Sequence, residues 1–193
     1  MKATALGSLV LSCVVIGASA AYSRSADARA TPAAGSAAVR AHATISGEGI
    51  SGTLDAVEIT NGTAREVEIT LKVTGLKPGL HGVHLHAVGK CEPPGFTSAG
   101  GHFDPGPFGN TDPDANHPFH MGDLPNLRAG DNGIATLKAR TTRVTLSDGP
   151  LSVFDADGTA VIIHANPDQG ITGEPKSGVS GGPRIACGVL VRR

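Results

Sequence analysis

Turn signals recur along this chain at intervals of about eight to twelve residues, and such spacing leaves room for little but short strands. Gly47, Gly49 and Gly52, then Asn61-Gly62, Lys77-Pro78-Gly79, Asp131-Asn132-Gly133, Asp148-Gly149-Pro150 and Asp157-Gly158 supply the residues that tolerate positive φ or preset a turn. Residues 50–60 and 65–75 flank Asn61-Gly62, and Arg65 to Val73 alternates polar and apolar from Glu66 onward, as a half-buried antiparallel strand does. Residues 134–146 continue the pattern, 159–164 form a short apolar run, and 184–191 close the chain. The load of 27 glycines and 13 prolines argues against long helices, and with 3% aromatics the core falls to Val, Ile, Leu and Ala. The pattern therefore predicts a sandwich or barrel. Two aperiodic segments, 88–125 and 165–183, exceed ordinary connections and are read as functional loops.

The 193 residues suit one domain, or one domain and a tail. Residues 1–20 read as an export signal: Lys2 opens them, 3–17 are mostly apolar, and Ala18-Ser19-Ala20 has the small-x-small form of a cleavage site. The apolar stretch is too short to span a bilayer comfortably, so no transmembrane segment is expected. Cys13 offers the alternative of a lipidated anchor. Residues 21–40 are Ala- and Ser-rich and read as a flexible tether, which leaves 41–193 as the folded domain. An exported chain is periplasmic or secreted; losing Cys13 with the signal leaves Cys91 and Cys187, for which a single disulfide is the default reading. Residues 41–193 carry 12 Lys/Arg against 16 Asp/Glu, a formal charge of −4, with no basic block. That composition argues against nucleic acid as a partner.

Six of the eight histidines lie between His81 and His120. His84-Leu85-His86 sits in an extended stretch, where a period of two puts both imidazoles on one face, an effective metal chelate. His81 has the wrong parity to join them and is expected to serve as a hydrogen-bonding residue. His102, His117, His120 and Asp123 amount to three imidazoles and a carboxylate, a tetrahedral zinc set. His164 ends the run Val161-Ile162-Ile163, where an unpaired ring would be costly, and fits as a third ligand beside His84 and His86. His42 has no assigned role.

The stretches Gly79 to His86, Gly100-Gly101-His102-Phe103-Asp104-Pro105, His120-Met121-Gly122-Asp123-Leu124 and Gly182 to Val189 resemble, in order and separation, the copper/zinc superoxide dismutase family. The likeness covers roughly residues 41–193 and is to the exported bacterial type. It implies an all-β fold, a Greek-key β-sandwich or flattened barrel of about eight antiparallel strands with two long functional loops. It implies one copper and one zinc ion per subunit. By position, His84, His86, His102 and His164 match copper ligands, and the His102 ring bridges to zinc, where His120 and Asp123 match ligands. Arg184 matches the arginine that attracts the anionic substrate, superoxide. Cys91 with Cys187 matches the family disulfide, and Asp168 stands where a carboxylate links ligands of the two metals. The family's middle zinc histidine has no counterpart near Asn110-Thr111. Either His117 takes over that role from a rearranged loop, which is the expectation, or zinc affinity is reduced.

The implied activity is dismutation of superoxide to dioxygen and hydrogen peroxide by alternating reduction and oxidation of copper. Arg184 and His102 are the residues expected to act on substrate and proton. Since the domain is acidic, attraction of an anion must be local. Arg184 is the main source, and Lys176 is read as a solvated loop lysine. The alternative is an exported metal-binding protein on the same fold without turnover. A homodimer is one option for the assembly.

Overall fold

Val67, Ile69, Leu71 and Val73 are buried while the residues between them stay at least partly exposed, so the alternation read from sequence becomes a strand with one face in a core. The computed structural model describes residues 38–61, 64–105, 112–115, 117–118 and 120–193. The expected export signal, Cys13 and nearly all of the tether lie outside them. Among the described residues are nine strands: β1 (Arg40–Gly47), β2 (Ile50–Asn61), β3 (Ala64–Thr74), β4 (Gly79–His86), β5 (Asp123–Ala129), β6 (Ala135–Thr141), β7 (Ala160–His164), β8 (Arg184–Val189) and β9 (Val191–Arg192). A single 3-10 turn, Thr97–Ala99, stands among the described residues.

All ladders are antiparallel. The order β2-β3-β6-β5-β4-β7-β8-β1 returns to β2 through the β1–β2 ladder, so eight strands nearly close on themselves, with β5 and β6 meeting only at Ala129↔Ala135. Three neighbouring pairs are far apart in sequence, β3 with β6, β4 with β7 and β8 with β1, as in a Greek key. β8 and β9 are one chain end broken at Leu190, whose N–H turns to the Thr159 carbonyl at 2.9 Å, and both pair with β1. The expectation of about eight antiparallel strands agrees with this barrel.

Two strands differ from the sequence reading. The run over 134–146 leaves the sheet after Thr141, because Leu146 and Ser147 donate their N–H groups to the buried Glu58 carboxylate on β2, at 2.6 and 2.9 Å. A side chain thus satisfies amides that a strand would otherwise need a neighbour to satisfy. β5 begins inside the segment read as loop. Its buried residues Leu124, Leu127 and Ala129 break the period of two, since β5 carries one extra residue between the pairs Val83↔Leu124 and His81↔Leu127.

The third to eighth residues of β4 are all buried. Val83 and Leu85 join the barrel core, and His84 and His86 occupy the opposite face. Beyond His84 the long loop replaces β5 as the partner of β4: Leu85 donates to the Gly122 carbonyl at 2.9 Å and accepts from the Phe103 N–H at 2.8 Å. A Cβ on Gly122 would stand 2.4 Å from the Leu85 carbonyl oxygen, so this approach requires glycine. Cys91 and Cys187 are joined by a disulfide, which fastens the start of this loop to β8.

Candidate metal centre

Even-numbered positions of β4 present His84 and His86 on one face, His164 ends the neighbouring β7, and His102 meets His86 across an isolated antiparallel bridge. All four rings are buried, and their candidate ligand atoms lie within 4.8 Å of one another. Each ring commits one nitrogen to the protein. His84 Nε2 donates to Asp168 at 2.9 Å, His86 Nδ1 to the Gly100 carbonyl at 3.0 Å, His102 Nδ1 to Asp123 at 2.7 Å, and His164 Nδ1 to the Gly182 carbonyl at 2.9 Å. The second nitrogens, His84 Nδ1 and the Nε2 atoms of His86, His102 and His164, are buried without a hydrogen-bond partner. Four orphaned imidazole nitrogens at one point are costly unless a cation collects them. Burial first, then the neighbouring rings and the Arg184 charge, push His86 and His164 well below the usual imidazole range. Burial and His84 bring His102 down to about 4. Neutral rings keep their lone pairs free for a metal.

The second group shares the His102 ring. His102, His117, His120 and Asp123 bring ligand atoms within the same 4.8 Å. Asp123 Oδ2 lies 3.3 Å from both His117 Nδ1 and His120 Nδ1, and neither of those nitrogens has a hydrogen-bond partner. Burial opposes ionisation of Asp123, yet the three surrounding rings hold its carboxyl far below the ordinary range. For His117 burial works against the proton, and the Asp123 and Asp168 carboxylates override it, pushing the ring up to about 9. Three imidazoles and one carboxylate fit zinc.

Asp168 spans the groups: one oxygen accepts from His84 Nε2 and the other from His117 Nε2 at 2.5 Å. These three residues also form a cluster of their own. Their facing nitrogens are engaged in those hydrogen bonds, while the free nitrogens look into the two groups above, so Asp168 orients rings. Asn126 holds Asp168 in place through its amide, bonded to both the Asp168 N–H and carbonyl at 2.8 Å.

Arg184 opens β8 opposite His164. Its two terminal nitrogens donate to the Phe96 carbonyl at 2.8 Å and the Gly100 carbonyl at 2.6 Å. The Gly100 oxygen therefore serves both Arg184 and His86. Among the described residues no carboxylate pairs with Arg184, so its charge is uncompensated. A cleft of about 860 Å³ beside it, lined by Lys77, His81, Phe96 and Asn166 among others, includes none of the six grouped histidines.

Every histidine singled out on sequence for a metal role falls in one of the two groups, including His117. His81 bonds through both nitrogens to carbonyls, of His164 at 2.8 Å and Lys77 at 2.9 Å, which is a structural use. His42 lies elsewhere, 2.9 Å from Asp55. Lys176 is exposed. The sequence reading did not single out Asn126, Asp114 or the carbonyls of Phe96, Gly100 and Gly182. Carbonyls leave no trace in residue type, whereas Asn126, three residues beyond the metal-group Asp123, carried a signal in its position.

Residues 50–190 match the family model described as copper/zinc superoxide dismutase. A Cu-Zn superoxide dismutase from Caulobacter vibrioides is 40% identical over 129 residues, covering 64% of this chain and 71% of the relative. A second, from Brassica juncea, is 41% identical over 149 residues, covering 75% and 91%. Among solved structures, a SOD-like protein from Bacillus subtilis matches with a TM-score of 0.64 at 31% identity over 78% of this chain and 97% of the other. The clock protein EA4 matches with 0.64 at 29%, covering 78% and 92%. With the barrel, the two histidine groups and these matches in agreement, the chain belongs to the copper/zinc superoxide dismutase family.

Proposed function

We infer that this chain is a superoxide dismutase, converting superoxide to dioxygen and hydrogen peroxide. The observation that carries the reading is the His102 ring, whose Nε2 points free among the three rings of the first group while Nδ1 turns to Asp123 in the second. Bound copper supplies a one-electron redox couple, and zinc adds a redox-inert positive charge on the shared ring. His84 through Nδ1, and His86, His102 and His164 through Nε2, would hold copper; His102, His117, His120 and Asp123 would hold zinc.

Two superoxide anions and two protons become one dioxygen and one hydrogen peroxide, the electron passing from one superoxide to the other through the couple that bound copper would supply. His102 Nε2 would take up a proton in the first half and release it in the second, with Asp123, His117 and His120 keeping the ring in position. Arg184 draws the anion in. Its field already reaches the first group, since it contributes to the depressed pKa of both His86 and His164. In a domain of formal charge −4 a fixed, unpaired guanidinium is what local attraction needs.

Export of the mature chain belongs to the same reading and is supported by the Cys91–Cys187 bridge, a bond that persists in oxidising compartments. No helix among the described residues is long and apolar enough to cross a membrane. Assembly as a homodimer is tested by the mass in solution. The activity is tested by a dismutation assay on the purified chain with copper and zinc quantified. Copper with turnover is the expected result; zinc alone without turnover would instead indicate a binding protein.

A further inference from the structure

Asp114 is a carboxylate only 2% exposed, and among the described residues no cation pairs with it. Its charge is balanced by three hydrogen bonds from across the molecule: the Gly178 N–H at 2.7 Å, the Ser180 N–H at 3.0 Å and the Ser180 hydroxyl at 2.8 Å. Burial works to raise its pKa, and these donors outweigh it and keep the group ionised. Asp112 fixes its approach by accepting the Asp114 N–H at 3.0 Å, and the Asp114 carbonyl accepts the Gly173 N–H at 3.0 Å.

The two segments joined here both lead to the metal groups. On one side His117 follows three residues on, with its own carbonyl accepting the Thr172 hydroxyl at 2.5 Å. On the other, Gly182 provides the carbonyl that orients His164, and Arg184 follows two residues later. Between 178 and 182 the backbone takes positive φ at Gly178, Gly181 and Gly182 and belongs to no strand, so it depends on such ties for its path. The fit is close: a Cβ on Gly181 would lie 2.7 Å from the His164 Cβ.

We propose that Asp114 is a positioning residue for the dismutase site, clasping the 178–182 segment to the His117 loop so that His117, His164 and Arg184 hold their places together. Three donors on two oxygens call for a carboxylate; an amide would keep one accepting oxygen and turn its own N–H₂ toward either the Gly178 N–H or the Ser180 N–H and hydroxyl. The proposal rests on the metal reading above and deepens it.

The test uses protein loaded with copper and zinc, comparing wild type, Asp114→Ala, Asp114→Asn and Ser180→Ala by metal content, Cu(II) paramagnetic resonance and affinity for azide as an anion probe. Asp114→Ala is expected to alter the copper spectrum and weaken azide binding about fivefold at unchanged copper content, less than the roughly 10- to 100-fold cost of removing a group bonded directly to a ligand. Asp114→Asn, which keeps one accepting oxygen, restores part of both. Ser180→Ala shifts both in the same direction by less, and decides the question alone if Asp114→Ala does not fold. Wild-type spectra and azide affinity in the folded variants would overturn the proposal. A wild type that takes up no copper would overturn the metal reading itself.

Discussion

Asn126 and Asp168 hold each other through two hydrogen bonds of 2.8 Å, amide to backbone in both directions. This pairing leaves the Asp168 side chain free to accept from His84 and His117 and fixes where both rings stand. Asp168→Ala is expected to lower metal affinity by about 10- to 100-fold. Asn126→Ala, which frees the backbone and leaves the carboxylate, should cost less. Competitive chelator titrations of copper and zinc measure both.

His117→Ala removes one of three imidazoles from the second group and an acceptor's partner from Asp168. Zinc should fall well below one per subunit while copper is retained more fully. Elemental analysis after dialysis checks this, and full zinc retention would remove His117 from the ligand set.

Arg184→Ala should lower the second-order rate constant by about tenfold with copper content unchanged. Its remaining rate should also depend less on ionic strength, because a fixed surface charge acts over a screening length of about 10 Å at 0.1 M salt. Rates at several salt concentrations read both effects, and identical wild-type and variant curves would rule out an attracting role.

Glu58 is the buried carboxylate that caps Leu146 and Ser147. Burial pulls its pKa upward, but the Ser147 N–H and hydroxyl, the Leu146 N–H and the Arg65 guanidinium hold it below its reference value of 4.5. A group whose folded pKa is depressed stabilises the fold above the unfolded pKa and ceases to as pH falls through the folded one. Glu58→Gln is therefore expected to cost about 1–3 kcal/mol near neutral pH. That gap should narrow progressively below 4.5. Denaturant unfolding of metal-free wild type and variant, from pH 7 to about pH 3, tests the convergence.

The Cys91–Cys187 bridge closes a separation of 96 residues, and its loss through the paired Cys→Ser replacements should destabilise by about 2–5 kcal/mol. It also restrains the loop whose Phe96 and Gly100 carbonyls hold Arg184, so the rate constant should fall along with stability. Denaturant midpoints and dismutation rates on the same samples would separate the two effects.

The barrel was legible because β3 shows its core face in every second residue, and the grouped histidines were legible because imidazole at spacing two on a strand has few other uses. β5 was hidden by its extra residue opposite β4, which destroys the alternation that marks a strand. The true end of β6 was hidden for another reason: Glu58, far away in sequence, takes over the amides of residues 146 and 147. The support of the site was the least legible part. Asp114, Asn126 and the Gly100 carbonyl act through distances of less than 3.1 Å between segments tens of residues apart, and composition carries no record of such meetings.

The carbonyl of Gly100 has two clients, the His86 ring and the Arg184 guanidinium. With a second tie to Phe96, the arginine is held as a fork, so an arriving anion meets a charge already aimed and waits for no rotamer change. Lysine could keep the charge but not both prongs. Replacing Arg184 with lysine would convert a fixed electrode into a swinging one, and would at the same time remove one of the two loads on the Gly100 carbonyl that orients His86.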